Sequence, residues 1–159
     1  MTTMKYTRLT KEQFEELHQE FIKFLATQSI TADEWTAIKN NKPEVAEAEM
    51  DVFSDLVWER VLSKVEFLEN IAPQHLYLFH IKANSIALIG VKVKKTDVDL
   101  TQTNGFNWLR EHLMDDRVEI FDAEKPIEGN KLHSVFELIE KGAHITKGDL
   151  FKYFDQLIG

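Results

Sequence analysis

Three groupings of side chains in this sequence have types and spacings that could do chemistry. The first is Asp97 and Asp99 with the Asp115–Asp116 pair. In an extended chain Asp97 and Asp99 share a face. Joined by the later pair, they would offer hard oxygen ligands to Mg²⁺ or Mn²⁺, or act as an acid–base set in a small metal-dependent enzyme. The structural alternative is a set of loop and capping aspartates. The second is Glu15-x-x-His18, the spacing used in carboxylate-bridged di-metal bundles. Such sites need a second pair, and no other Glu-x-x-His occurs. His18 lies among Phe14, Phe21 and Ile22, which reads as a boundary histidine on a core face. His75 and His80 bracket one strand an odd number of residues apart, so they face opposite ways. His112, His133 and His144 have no partner that local spacing fixes. No cofactor is expected.

The third grouping is an acidic ridge. Glu47, Asp51, Asp55 and Glu59 recur every four residues, with Glu44 just before them. On a helix this puts like charges on one stripe, where they repel by a few tenths of a kcal/mol per pair. Such a stripe either stays solvated or docks a basic protein partner, with association weakened by salt. Lys82, Lys92, Lys94 and Lys95 form a local basic edge. They would suit a ribosome- or RNA-associated factor, but lack the stacking-aromatic pattern of known RNA modules. Lysines on an edge strand also discourage sheet-to-sheet pairing.

Composition narrows the classes. With no Cys in the chain, thiol nucleophiles, disulfides and Cys-based metal sites are excluded. No P-loop, dinucleotide glycine pattern, nucleophile elbow or zinc-protease helix is present. The formal charge of −8 opposes nonspecific binding to phosphate backbones, so nucleic acid is an unfavoured partner. No apolar run approaches the roughly 18–20 residues that span a bilayer, and MTTMKYTRLT lacks a signal-peptide core. These features predict a cytoplasmic protein without a membrane partner.

The elements that must position these residues are announced by a recurring spelling. RLTKEQF (8–14), SITADEW (29–35) and HITKGDLF (144–151) each read apolar, Thr, two residues, acid or amide, apolar. A calcium loop is excluded: with Glu34 last, the ligand positions fall on Lys23, Leu25 and Thr27, and the required Gly is Gln28. The spelling fits helix starts. Thr10, Thr31 and Thr146 are expected N-caps with Gln13, Glu34 and Asp149 three residues on. Leu9, Ile30 and Ile145 would staple to Phe14, Trp35 and Leu150.

Apolar spacing predicts a helix over 11–27, a short helix after Thr31, and a long one from Pro43 that continues to about Asn70. HLYLFHIK, ANS and IALIGVKV read as a β-hairpin. GFNWLREHL reads as a helix and RVEIFDA as a third strand. Two helices, over about 131–141 and 147–157, close the chain, the first ended by Gly142. The fold class is α+β: N-terminal helices, a small antiparallel sheet built on the hairpin plus a third strand, and a C-terminal helical pair. A single domain over 1–159 is expected, with a mainly helical part over 9–71 and an α+β part over 74–159.

MKYTRLTKEQFEELHQEFIKFLATQSITADEW and AEMDVFSDLVWERVL resemble an uncharacterised family of small bacterial proteins of the Bacteroidota type, a domain of unknown function. The resemblance covers most of the chain and implies a bacterial cytosolic protein. It implies no activity and no catalytic residues. The sequence therefore favours a non-enzymatic interaction or regulatory module. Glu47, Asp51, Asp55 and Glu59 are its candidate partner-binding residues.

Overall fold

The computed structural model describes residues 4–159. They divide into two compact units, one ending at Ser63 and one comprising Lys64–Gly159.

The first unit is helical. Thr10 starts α1 (Lys11–Glu16) with a complete capping box. Its hydroxyl accepts the Gln13 N–H at 3.2 Å, and Gln13 Oε1 accepts the Thr10 N–H at 2.8 Å. The single helix expected over 11–27 is divided at Leu17, whose N–H is shared between the Gln13 and Glu15 carbonyls. α2 (His18–Thr27) follows and ends in a Schellman turn. Ile30 N–H reaches the Leu25 carbonyl and Ser29 N–H the Ala26 carbonyl, with Ser29 in the left-handed region at φ 60°. Thr31 then caps α3 (Ala32–Asn41), its hydroxyl accepting the Glu34 N–H. Pro43 opens α4 (Pro43–Ser63), the longest helix described. The core gathers Leu9, Phe21, Leu25 and Phe53, with Phe14, Trp35 and Val57 against them. The Phe21 ring meets Phe53 at 5.0 Å and Trp35 at 5.2 Å, both edge-on.

The second unit begins where α4 was expected to continue. Residues to Asn70 do not extend that helix; Phe67–Ala72 is a strand, β1. Its side chains alternate, and Phe67 and Leu68 are both buried, which suits a two-sided strand better than another helical turn. β2 (His75–Ile81) and β3 (Ser85–Val93) form the expected hairpin. α5 (Thr103–Glu111), β4 (Val118–Pro126), α6 (Lys131–Glu140), β5 (His144–Thr146) and α7 (Asp149–Ile158) complete the unit. The sheet is antiparallel throughout, in the order β4-β3-β2-β1-β5. Sequence patterning anticipated three of its five strands.

The third echo of the capping spelling behaves differently from the first two. Thr146 lies in β5, not at a helix start, and its hydroxyl accepts the Gly148 N–H. Gly148 precedes α7 in the left-handed region, at φ 87°. A Cβ there would come 2.4 Å from the Phe67 ring. Close packing on that ring and the positive φ both require glycine, so the helix starts two residues later than the threonine predicts.

One sheet face carries the core: Leu76, Leu78, Ile89 and Val91 with Leu109 of α5 and Phe151 and Phe154 of α7. The other face carries Tyr77, Phe79 and Leu88, all half-buried, and Phe121, which is 38% exposed.

Candidate functional site

The acidic ridge of α4 is the most organised polar feature of the first unit, and the chain's own N-terminal segment lies on it. Both Asp55 oxygens accept consecutive backbone N–H groups, from Lys5 at 2.9 Å and Tyr6 at 3.0 Å. Lys5 Nζ reaches Glu59 at 3.0 Å, and Arg8 Nε reaches Asp51 at 2.6 Å. Trp58 Nε1 donates to the Thr7 carbonyl at 3.1 Å. Leu9, whose side chain enters the core, gives its N–H to Ser54 Oγ. Ser54 is fully buried and donates in turn to the Met50 carbonyl, which explains a hydroxyl in the core face of an acidic helix.

This arrangement follows from the α-helical period. Asp51, Ser54, Asp55, Trp58 and Glu59 stand three or four residues apart, so they form one row on one side of α4. The row reads an irregular, bent chain twice over. Backbone N–H and C=O groups are met by Asp55, Ser54 and Trp58, and cationic side chains by Asp51 and Glu59. The carboxylates hold Arg8 above its ordinary pKa, chiefly through the Asp51 hydrogen bond, with smaller contributions from the charges of Asp51 and Glu47. Lys5 is raised by Glu59 in the same way. Glu47 therefore acts on Arg8 through its field.

The Asp97, Asp99, Asp115 and Asp116 set does not assemble into a shared site. Asp97 pairs with Lys95. Asp99 Oδ1 accepts from Thr101 N–H and Oγ1 at 2.9 and 2.6 Å. Asp115 takes the backbone N–H, Nε and Nη2 of Arg117. Each of these three carboxyls sits below the usual carboxylate range. The causes are, in order, hydrogen bonds from Lys95, Thr101 and Arg117. Lowering keeps them ionised and moves them away from the near-neutral pKa that general acid–base work favours. Among the described residues, no group of three or more His, Asp and Glu side chains is placed to hold a metal ion.

The histidines are dispersed. His18 and Glu15 are both exposed, and His18 lines an open depression with Phe21, Ile22, Leu25 and Trp35, at the boundary of the core face as the sequence suggested. His75 stacks on Tyr77, and His80 lies flat on Phe67 at 4.4 Å on the other sheet face. His112 stacks on Trp108, with Nδ1 2.7 Å from the Trp108 carbonyl. His133 faces Glu137 at 3.1 Å, and His144 is the cross-strand partner of Glu69. Of the hairpin lysines, Lys82 pairs with Glu124, Lys94 with Glu119 and Lys95 with Asp97, while Lys92 lies over the Phe121 ring. The basic edge is thus largely neutralised by carboxylates.

Each unit also has an open apolar depression. In the first, a groove of about 590 Å³ is lined by Leu17, Phe24, Leu56, Val57 and Val61, with Arg60 at its rim. In the second, a cleft of about 500 Å³ lies between α6 and the outer sheet face, over Phe79, Ile86, Leu88 and Leu138. Charged side chains line both, Glu20, Lys23 and Arg60 the first and Lys125, Glu128 and Glu137 the second. Among the described residues no helix is long and apolar enough to cross a membrane.

Sequence reasoning found the ridge but not what lies on it. The available signal was Lys5 and Arg8, two cations three residues apart in a segment without helical or strand patterning, just before the Thr10 cap.

The fold is of the α+β class. Residues 4–159 match the family of unknown function DUF6495, and the chain belongs to that family. No curated protein and no solved structure matches the chain.

Proposed function

We propose that this protein is a non-enzymatic interaction module of the bacterial cytosol, which captures a basic protein segment of irregular backbone on Glu47, Asp51, Asp55 and Glu59 of α4. The observation that supports this reading is the grip of Asp55 on two consecutive backbone N–H groups, flanked by Asp51 on Arg8 and Glu59 on Lys5. A solvated acidic face needs no such backbone register. In this reading Lys5–Arg8 is an intramolecular stand-in for the partner, and a partner segment binds by exchange with it. Lys5 supports exchange, because its side chain is 68% exposed even when paired. Exposed pairs of this kind contribute little each and are screened by salt, so the resident segment is displaceable.

The test is fluorescence anisotropy with a labelled peptide of the sequence KYTRL. It is measured on the wild-type chain, on a Lys5→Ala/Arg8→Ala chain, and on an Asp51→Lys/Asp55→Lys/Glu59→Lys chain, at about 0.05 M and about 0.3 M salt. Binding is expected to be tighter to the Lys5→Ala/Arg8→Ala chain than to wild type, to weaken with salt, and to vanish on the reversed ridge. Peptide that fails to bind the Lys5→Ala/Arg8→Ala chain at low salt sinks the proposal and leaves the ridge a purely intramolecular clamp.

A further inference from the structure

β4 is an edge strand, and its backbone has a consequence independent of the acidic ridge. The Lys94 N–H donates to the Arg117 carbonyl at 2.7 Å and the Ile127 N–H to the Asn84 carbonyl at 2.9 Å. These bonds flank the β3–β4 ladder and fix its phase. Glu119, Phe121, Ala123 and Lys125 direct their N–H and C=O groups inward to β3, so Ile120, Asp122 and Glu124 direct theirs outward. Among the described residues no strand lies beyond β4. The two flanking positions are closed: the Val118 N–H is taken by the Asp115 carbonyl, and Pro126 has no N–H. The outward backbone groups of Ile120, Asp122 and Glu124 are therefore symmetric about Asp122.

We propose that two copies of this chain pair antiparallel along β4, with Asp122 on the two-fold axis. In this register Ile120 faces Glu124 of the second copy and Asp122 faces Asp122, so all three residues satisfy their outward N–H and C=O groups. A shift of the axis by one residue either way leaves part of that set unmatched. The side chains select the same register. On the sheet face away from α5 and α7, Glu119 falls opposite Lys125 of the second copy and Phe121 opposite Ala123, each twice by symmetry. These are non-hydrogen-bonded positions, where side chains approach most closely. Phe121, 38% exposed in one copy, gains cover there. With the axis at Ala123, Asp122 would face Glu124 twice. With it at Phe121, Arg117 would face Lys125 twice. One term opposes the chosen register: Asp122 meets its own copy across the axis, and inward-pointing edge charges of this kind restrain association.

The experiment combines sedimentation with amide exchange on the full chain, from about 1 µM to about 1 mM. Wild type is expected to show a concentration-dependent dimer. Amides of Ile120, Asp122 and Glu124 should gain protection as concentration rises, while those of Phe121 and Ala123 stay protected throughout. Lys125→Glu creates two like-charged pairs per dimer and should weaken association about tenfold. Glu119→Lys combined with Lys125→Glu should restore it to within about twofold, and Asp122→Asn should tighten it. The proposal is overturned if wild type and Asp122→Asn both remain monomeric at about 1 mM. It is equally overturned if a dimer forms without new protection at Ile120, Asp122 and Glu124. The wild-type exchange measurement needs no variant to fold.

Discussion

Replacing Asp55 by alanine should release the segment Lys5–Arg8 from α4 while leaving the helical unit folded. Asp55 is half-exposed and accepts two backbone N–H groups, at 2.9 and 3.0 Å. A hydrogen bond to a charged group contributes about 1.5–3 kcal/mol where it is buried. Here the freed amides regain water, so about 0.5–1 kcal/mol each is the appropriate scale. The pair sums to about 1–2 kcal/mol, which raises the open population about 5- to 30-fold. Hydrogen exchange measures this directly. The Lys5 and Tyr6 amides and the Trp58 indole N–H should exchange faster by that factor. The Leu9 amide, bonded to the buried Ser54 hydroxyl, should remain the slower reference within the same segment. Asp55→Asn keeps one acceptor oxygen and should give about half the effect in free energy. Unchanged exchange at Lys5 and Tyr6 in Asp55→Ala would refute the reasoning, and would remove the structural basis for reading the ridge as a receptor for a basic chain segment.

Three further outcomes follow from other parts of the molecule. Ser29 holds a left-handed φ at the end of α2, so Ser29→Gly should stabilise the helical unit by about 0.5–1 kcal/mol in urea titration. Gly105 lies within α5, where alanine ordinarily helps by about 1 kcal/mol. A Cβ there would come 1.8 Å from the Asp99 carbonyl oxygen, so Gly105→Ala should instead destabilise by about 2 kcal/mol or more, lowering the urea midpoint. Glu69 is raised above the usual glutamate range, first by burial, with Asp149 adding and His144 opposing. An acid whose folded pKa is raised costs stability once it ionises, so the penalty is absent below its ordinary pKa and complete above its raised one. Glu69→Gln should therefore stabilise the fold at neutral pH, with the advantage shrinking as pH falls toward about 4.5. An advantage that is constant from pH 4 to 8 would exclude the linkage.

The parts of this fold that were legible in sequence are those where local and tertiary demands agree. Thr10 and Thr31 cap helices because the apolar residues beside them, Leu9 with Phe14 and Ile30 with Trp35, belong to one core. Thr146 carries the same spelling, but Ile145 is 50% exposed in an edge strand, so the staple has no core to enter and Gly148 takes over the start. β1 was hidden by continuity. Phe67 and Leu68 extend the apolar rhythm of α4, and only pairing with β2, immediately downstream, and with β5, distant in sequence, makes extended backbone the better solution.

The candidate residues obey the same rule, and it explains why their surroundings were harder to read than their presence. A four-residue period identifies the stripe Glu47, Asp51, Asp55 and Glu59 from the sequence alone, because a helix supplies the geometry. Its complement, Lys5 and Arg8, lies more than forty residues upstream in irregular chain, where no period links the two. The aspartates at 97, 99 and 115 give the opposite case. Their density suggested a shared site, yet each is satisfied by a residue two positions away: Lys95, Thr101 or Arg117. Carboxylates with a donor at that distance in a loop are capped locally before they can converge, since a turn closes with less entropic cost than a long-range cluster. A carboxylate that lacks such a neighbour, as Asp55 does, is the one left to reach across the fold.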